Sequence, residues 1–267
     1  MSIKDELEGS KKYSFTMIPG AENSINNKYG LLDLTPENVY LVEAMIRTDS
    51  AYSKSFDLND GNTDTKGNVN GSTAYCMKLF KDYLGTLKPN DKLGNKQGNK
   101  ILDGVIAAVD RENSTHLNGD KAGREVVRKR LGNLTQEEFW TFLKNEDEKY
   151  ELFDLIAKKT SKKAYARQNP AFASKFCHYA CMNLFEENED DLRDRYSIYD
   201  RILRTIVPYY ANHFDSNIPT KPIIYRKLEN YKNYCTLIDF ILEKSGNKIS
   251  RNGFDHLLWY YYKGRIN

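Results

Sequence analysis

Apolar residues recur at three- and four-residue spacings along most of the chain, the period of a helix with one buried face. Thr35-Pro36-Glu37 reads as a helix start, with Thr as N-cap, Pro at the first helical position and an acid in the first turn. Val39, Val42, Ala44, Met45 and Ile46 continue it. Ser72 is placed to cap a helix through Leu84, whose stripe is Tyr75, Leu79, Phe80 and Tyr83. Thr135 with Glu138 three residues on forms a capping box ahead of Phe139, Trp140, Phe142 and Leu143. A short buried helix is predicted over Ile101–Val109, and further helices over Tyr150–Ala157, Ser174–Phe185, Asp200–Tyr210, Tyr231–Glu243 and Gly253–Lys263. Between them, Asp57–Ser72 and Lys88–Lys100 are rich in Gly, Asn, Asp, Thr and Lys and read as loops, and the first ~30 residues as an irregular arm. With no strand-and-turn ladder, internal repeat or heptad run, the fold class is mainly α. A division into an N-terminal helical region (1–149) and a C-terminal core (150–267) is expected.

Composition narrows the setting. At 267 residues and 40% hydrophobic content the chain buries at least one sizeable core. Its longest apolar runs, Ile202–Val207 and Leu257–Tyr262, are far shorter than the ~20 residues that span a bilayer. Met1–Lys12 is charged, without the apolar stretch of a secretion signal. A cytoplasmic protein away from membranes is therefore expected. Cys76, Cys177, Cys181 and Cys235 read as reduced, buried thiols. Cys177 and Cys181 share a helix face beside His178, but no second ligand pair stands at zinc spacing, and neither a metal nor another cofactor is expected.

The net charge is only +3, so the distribution of charge matters more than its sum. Lys158, Lys159, Lys162, Lys163, Arg167 and Lys175 follow one another without an acid, and Lys121, Arg124, Arg128, Lys129 and Arg130 form a second basic group. Acids gather at Glu186–Asp194. Each basic group is a solvated face or a surface for phosphates.

Two segments carry candidate chemistry, Asn169–Tyr179 and Tyr196–Arg204. In the first, a Pro-containing turn of small residues enters a helix with Lys175 in its expected first turn. A cation there faces the positive end of the helix dipole, which favours the neutral, nucleophilic amine. In the second, an aromatic, strand-like stretch leads to Asp200 at a helix start, where backbone N–H groups would fix its carboxylate. Taken singly, Lys175 reads equally as a snorkelling surface lysine and Asp200 as a plain N-cap.

Together, Ser174-Lys175 at one helix start and Asp200 at the next, ~25 residues on, resemble the core of the helix-hairpin-helix DNA glycosylase superfamily, in particular its 8-oxoguanine glycosylase branch. Phe254–Gly264 is similar to a closing helix of bacterial and phage proteins of this type, and the resemblance spans roughly Tyr150–Gly264. It implies a DNA glycosylase with β-lyase activity that flips a modified or damaged base from the duplex. It implies Lys175 as the nucleophile that attacks C1′ and forms a Schiff base, and Asp200 as the carboxylate that stabilises charge on the sugar. The base pocket it implies draws on Phe172, Phe176, Tyr179, Tyr199 and Trp259, each of which also reads as core. DNA contacts fall to Lys158, Lys159, Lys162, Lys163, Arg167 and Ser174. Two other readings stay open. The glycine-free turn Asn169–Ala173 suits a non-cutting module that recognises nucleic acid or a modified nucleotide. The acidic segment and the N-terminal half suit a protein partner, as in a phage or mobile-element defence or counter-defence factor.

Overall fold

The computed structural model describes residues 14–49, 53–113, 115, 117, 121–159 and 168–266, without the side chains of 121 and 122. The fold is mainly α. Eleven α-helices stand among the described residues, with one short two-stranded hairpin. The chain divides into two units, one built from 1–53 and 199–267, the other from 54–198. The division expected at 149/150 falls inside the second of these. The ends of the chain share one unit, which local periodicity does not report.

The first unit holds α1 (Pro36–Thr48), α9 (Leu203–Phe214), α10 (Leu228–Lys244) and α11 (Arg251–Tyr262). Thr35 caps α1 with Pro36 behind it, as the sequence predicts. The N-terminal arm is irregular, yet its backbone is satisfied by side chains. Buried Asn38 accepts from the Thr16 amide at 3.0 Å and donates to the carbonyls of Thr16 and Asp33. The Tyr262 hydroxyl donates to Gly30 O at 2.6 Å, and that of Tyr210 to Leu32 O at 3.1 Å. Buried carbonyls left open would cost ~1–3 kcal/mol each, so these two tyrosines fix the arm. Helix α9 starts at Leu203 rather than Asp200 and runs through Pro208 to Phe214. Pro208 has no N–H for the Arg204 carbonyl, which accepts from Ile223 N at 3.0 Å instead, so the helix passes the proline without an orphaned group.

The second unit holds α2 (Thr73–Thr86), α3 (Lys96–Glu112), α4 (Lys121–Asn133), α5 (Gln136–Lys144), α6 (Lys149–Ala157), α7 (Pro170–Leu184) and the single turn α8 (Asp190–Arg193). Ser72 and the Thr135–Glu138 capping box open α2 and α5 as predicted. The predicted loop over Asp57–Ser72 contains a hairpin, β1 (Gly61–Thr63) antiparallel to β2 (Val69–Gly71). Its turn is built by Asp64, whose carboxylate accepts from the amides of Lys66 and Asn68, and by Gly67 at φ 80°. The loop predicted over Lys88–Lys100 ends early, because Asn95 caps α3 through the Gly98 amide. Only glycine fits at 98, where a Cβ would stand 1.8 Å from Leu93 O.

Helix α7 is buried nearly all round and packs against α2, α3, α6 and α8. It begins at Pro170, four residues before the predicted start, because proline suits the first helical position. No helix among the described residues is long and apolar enough to cross a membrane. All four cysteines are buried and unpaired with one another.

Candidate active site

The early start of α7 changes the setting of Lys175. It stands in the second turn, beyond the reach of the N-terminal partial charge, so the dipole argument for its amine does not apply. Burial takes its place: the residue is 5% exposed. The amine donates to the main-chain oxygen of Asn113 at 3.2 Å. Asn113 ends α3, with its amide 3.2 Å and its side-chain Nδ2 3.0 Å from Val109 O. One turn along α7 from Lys175, the Tyr179 hydroxyl donates to Asn113 Oδ1 at 3.1 Å. Burial, then the nearby Glu112 charge, pushes the Tyr179 hydroxyl up to about 12, so it keeps its proton. Glu112 closes the cluster, its Oε2 accepting from Thr73 N at 3.0 Å and Thr73 Oγ1 at 2.6 Å. Three helices thus meet where the amine lies. The sequence offers no sign of this, since Asn113 is 62 residues from Lys175.

His178 adjoins the cluster. Its Nδ1 lies 3.1 Å from Tyr196 O. A carbonyl only accepts, so Nδ1 carries the proton of the neutral ring. Burial, with a lesser contribution from the Lys175 charge, holds the ring down to about 4. From pH 6.5 down to about 4 the unfolded chain therefore takes up a proton that the folded one refuses. Stability is expected to fall as pH drops through that window, by about 3 kcal/mol in all. His178→Asn, which keeps an N–H donor but no titrating ring, is expected to lose most of this dependence. Urea melts at intervals between neutral pH and pH 4 check it, and an unchanged acid slope in the variant contradicts it.

The other candidates divide between the units. Phe172 and Phe176 are 1% and 0% exposed and lie in the core of the second unit, with ring centroids 6.2 Å apart. Ser174 is fully buried and donates to Ala171 O, so it presents no hydroxyl to solvent. Lys158 is exposed and paired with Asp154 at 2.8 Å, and Lys159 is exposed. Lys162, Lys163 and Arg167 lie outside the described residues. The second basic group is largely neutralised within its own unit: Arg124 pairs with Asp110, Arg128 with Asp103 and Lys129 with Glu125. Arg130 donates to the carbonyls of Lys158 and Lys159. It is a fastening between α4 and the end of α6 more than a face for phosphates.

Asp200 belongs to the first unit, where its Oδ1 accepts from Leu203 N at 2.9 Å and its carbonyl from Arg204 N at 3.1 Å. It caps the turn that enters α9. Burial first, then the charges of Asp255 and Asp200, raises the Tyr234 hydroxyl well above its ordinary range. Tyr199 is buried edge-on to Tyr234 at 5.1 Å and donates to Ile223 O at 2.5 Å. Trp259 is half-buried, with the Lys263 amine 4.3 Å from its ring centre. Among the described residues, no three His, Cys, Asp or Glu side chains gather as a metal site. No family model, curated protein or solved structure matches the chain.

Proposed function

We propose that the protein is a cytoplasmic DNA glycosylase with β-lyase activity, with Lys175 as its nucleophile and Asp200 as its charge-stabilising carboxylate. The observation that supports this reading best is the burial of Lys175, whose amine donates to the main-chain oxygen of Asn113. An amine drawn out of water and pointed by a main-chain acceptor is placed for nucleophilic attack. The substrate nucleotide leaves the stack to expose C1′. The amine bonds to C1′ as the glycosidic C–N bond breaks, and the base departs with the bonding electrons and takes up a proton. The amine loses one proton to water, the ring oxygen O4′ takes one up as the C1′–O4′ bond breaks, and the sugar opens to a protonated imine. Loss of a 2′ proton then expels the 3′ phosphate and cuts the strand. Asp200 opposes the positive charge that builds on the sugar while the base leaves.

One observation favours a second reading. Lys175 is 5% exposed and Ser174 fully buried, which suits a glycosylase-like recognition module that binds modified nucleic acid without cutting. Duplexes carrying 8-oxoguanine, uracil or an abasic site separate the two. The first reading predicts base release or strand cleavage on at least one of them. Salt-sensitive binding with neither reaction selects the second, and no binding to DNA of any kind removes both.

A further inference from the structure

We infer that Asn113 and Tyr179 form a clamp that positions the Lys175 amine, with Asn113 the pointer and Tyr179 its lock; this deepens the glycosylase reading and rests on it for the chemistry.

The four rotatable bonds of the lysine side chain give it about 2 kcal/mol of rotamer freedom to lose, so an amine without guidance spends most of its time misaimed. Lys175 is guided. Asn113 O accepts from the amine at 3.2 Å, and this carbonyl is itself fixed. Both the amide and the side-chain Nδ2 of Asn113 return to Val109 O, which holds the residue at the end of α3. The remaining side-chain atom, Oδ1, accepts from Tyr179 at 3.1 Å. Positions 175 and 179 are one helical turn apart and share a face of α7, so a single residue from α3 meets both. Removing the Tyr179 hydroxyl frees Oδ1 and loosens the carbonyl that aims the amine, without touching the amine.

Two features make this more than a buried hydrogen bond. The end of α3 is anchored independently, since Glu112 receives both the amide and the hydroxyl of Thr73 at the start of α2. The clamp is therefore mounted on three helices, not on a loop. The Tyr179 proton also stays in place through the neutral range, because burial and the Glu112 charge both oppose its loss.

The test uses the full chain as wild type, Tyr179→Phe, Asn113→Ala and the double variant. An abasic-site duplex with borohydride gives the single-turnover rate of covalent trapping, and the same duplex without borohydride gives Kd. A second measurement omits DNA: formaldehyde with borohydride methylates lysines, and peptide mass spectrometry reads Lys175 against exposed Lys96. Tyr179→Phe is expected to slow trapping by about tenfold while Kd stays within about twofold, because aim is lost and binding is not. Methylation of Lys175 is expected to rise in both single variants as the amine is released. The double variant is expected to trap no more slowly than Asn113→Ala alone, since both changes break one linkage. Unchanged trapping and methylation in Tyr179→Phe, or losses that multiply in the double variant, overturn the clamp. If the wild type traps no duplex, the glycosylase reading fails and methylation alone decides: faster labelling of Lys175 in the variants upholds the clamp, and equal labelling overturns it.

Discussion

Glutamine at position 175 is expected to abolish covalent trapping and strand cleavage, with a loss of at least ~10³-fold, because no other group replaces the bond-forming amine. The substitution is chosen for what it preserves. Glutamine keeps an N–H donor on a flexible stem, able to address the Asn113 carbonyl that the lysine addresses at 3.2 Å. The variant is therefore expected to fold and to bind the abasic duplex with affinity comparable to that of the wild type. A variant that folds, binds and still cuts would show that Lys175 is a structural lysine. A loss of cutting that merely follows a lower melting temperature would show the same.

Asp200→Asn is the second large effect. Asparagine and aspartate cap helices about equally well, so the bond from Leu203 N to the side-chain oxygen survives and stability changes by less than ~1 kcal/mol. What disappears is the negative charge. If that charge stabilises the sugar as the base departs, base release falls by ~10²-fold or more, the scale of a lost electrostatic partner at a transition state. Cleavage of a duplex that already carries an abasic site is expected to fall much less, because its base has already left. Equal losses on both substrates, or none on either, contradict the role given to Asp200. Asp200→Ala is a poorer probe, since it removes cap and charge together.

Local signals in the sequence report local structure well. Thr35, Ser72 and Thr135 cap where their side chains and the following apolar periods say they do. Failures arise where a distant partner decides. The helix predicted over Asp200–Tyr210 does pass Pro208, but its start lies at Leu203, and nothing near the proline shows that Ile223 takes up the Arg204 carbonyl. Gly98 reads as a loop residue until Leu93 O is found where its Cβ would be. Lys121–Asn133 carries five basic residues, and it forms a helix that buries Val127 and Leu131 while Arg124 and Arg128 pair with Asp110 and Asp103 on α3. The same limit governs the site. Lys175 and Asp200 are visible as unusual residues at helix starts, but burial, rather than the helix dipole, sets the surroundings of the lysine. Asn113 and Glu112 close the α3 segment without any mark of their own. Their importance comes from meeting α7 and α2 in space.

The most direct measurement is to reduce the wild-type protein with borohydride in the presence of an abasic-site duplex, digest the adduct and map the modified peptide by mass spectrometry. A single sugar remnant is expected, on the amine of Lys175. A remnant on another lysine, such as Lys162 or Lys163, or no adduct at all under conditions where the duplex binds, would contradict it.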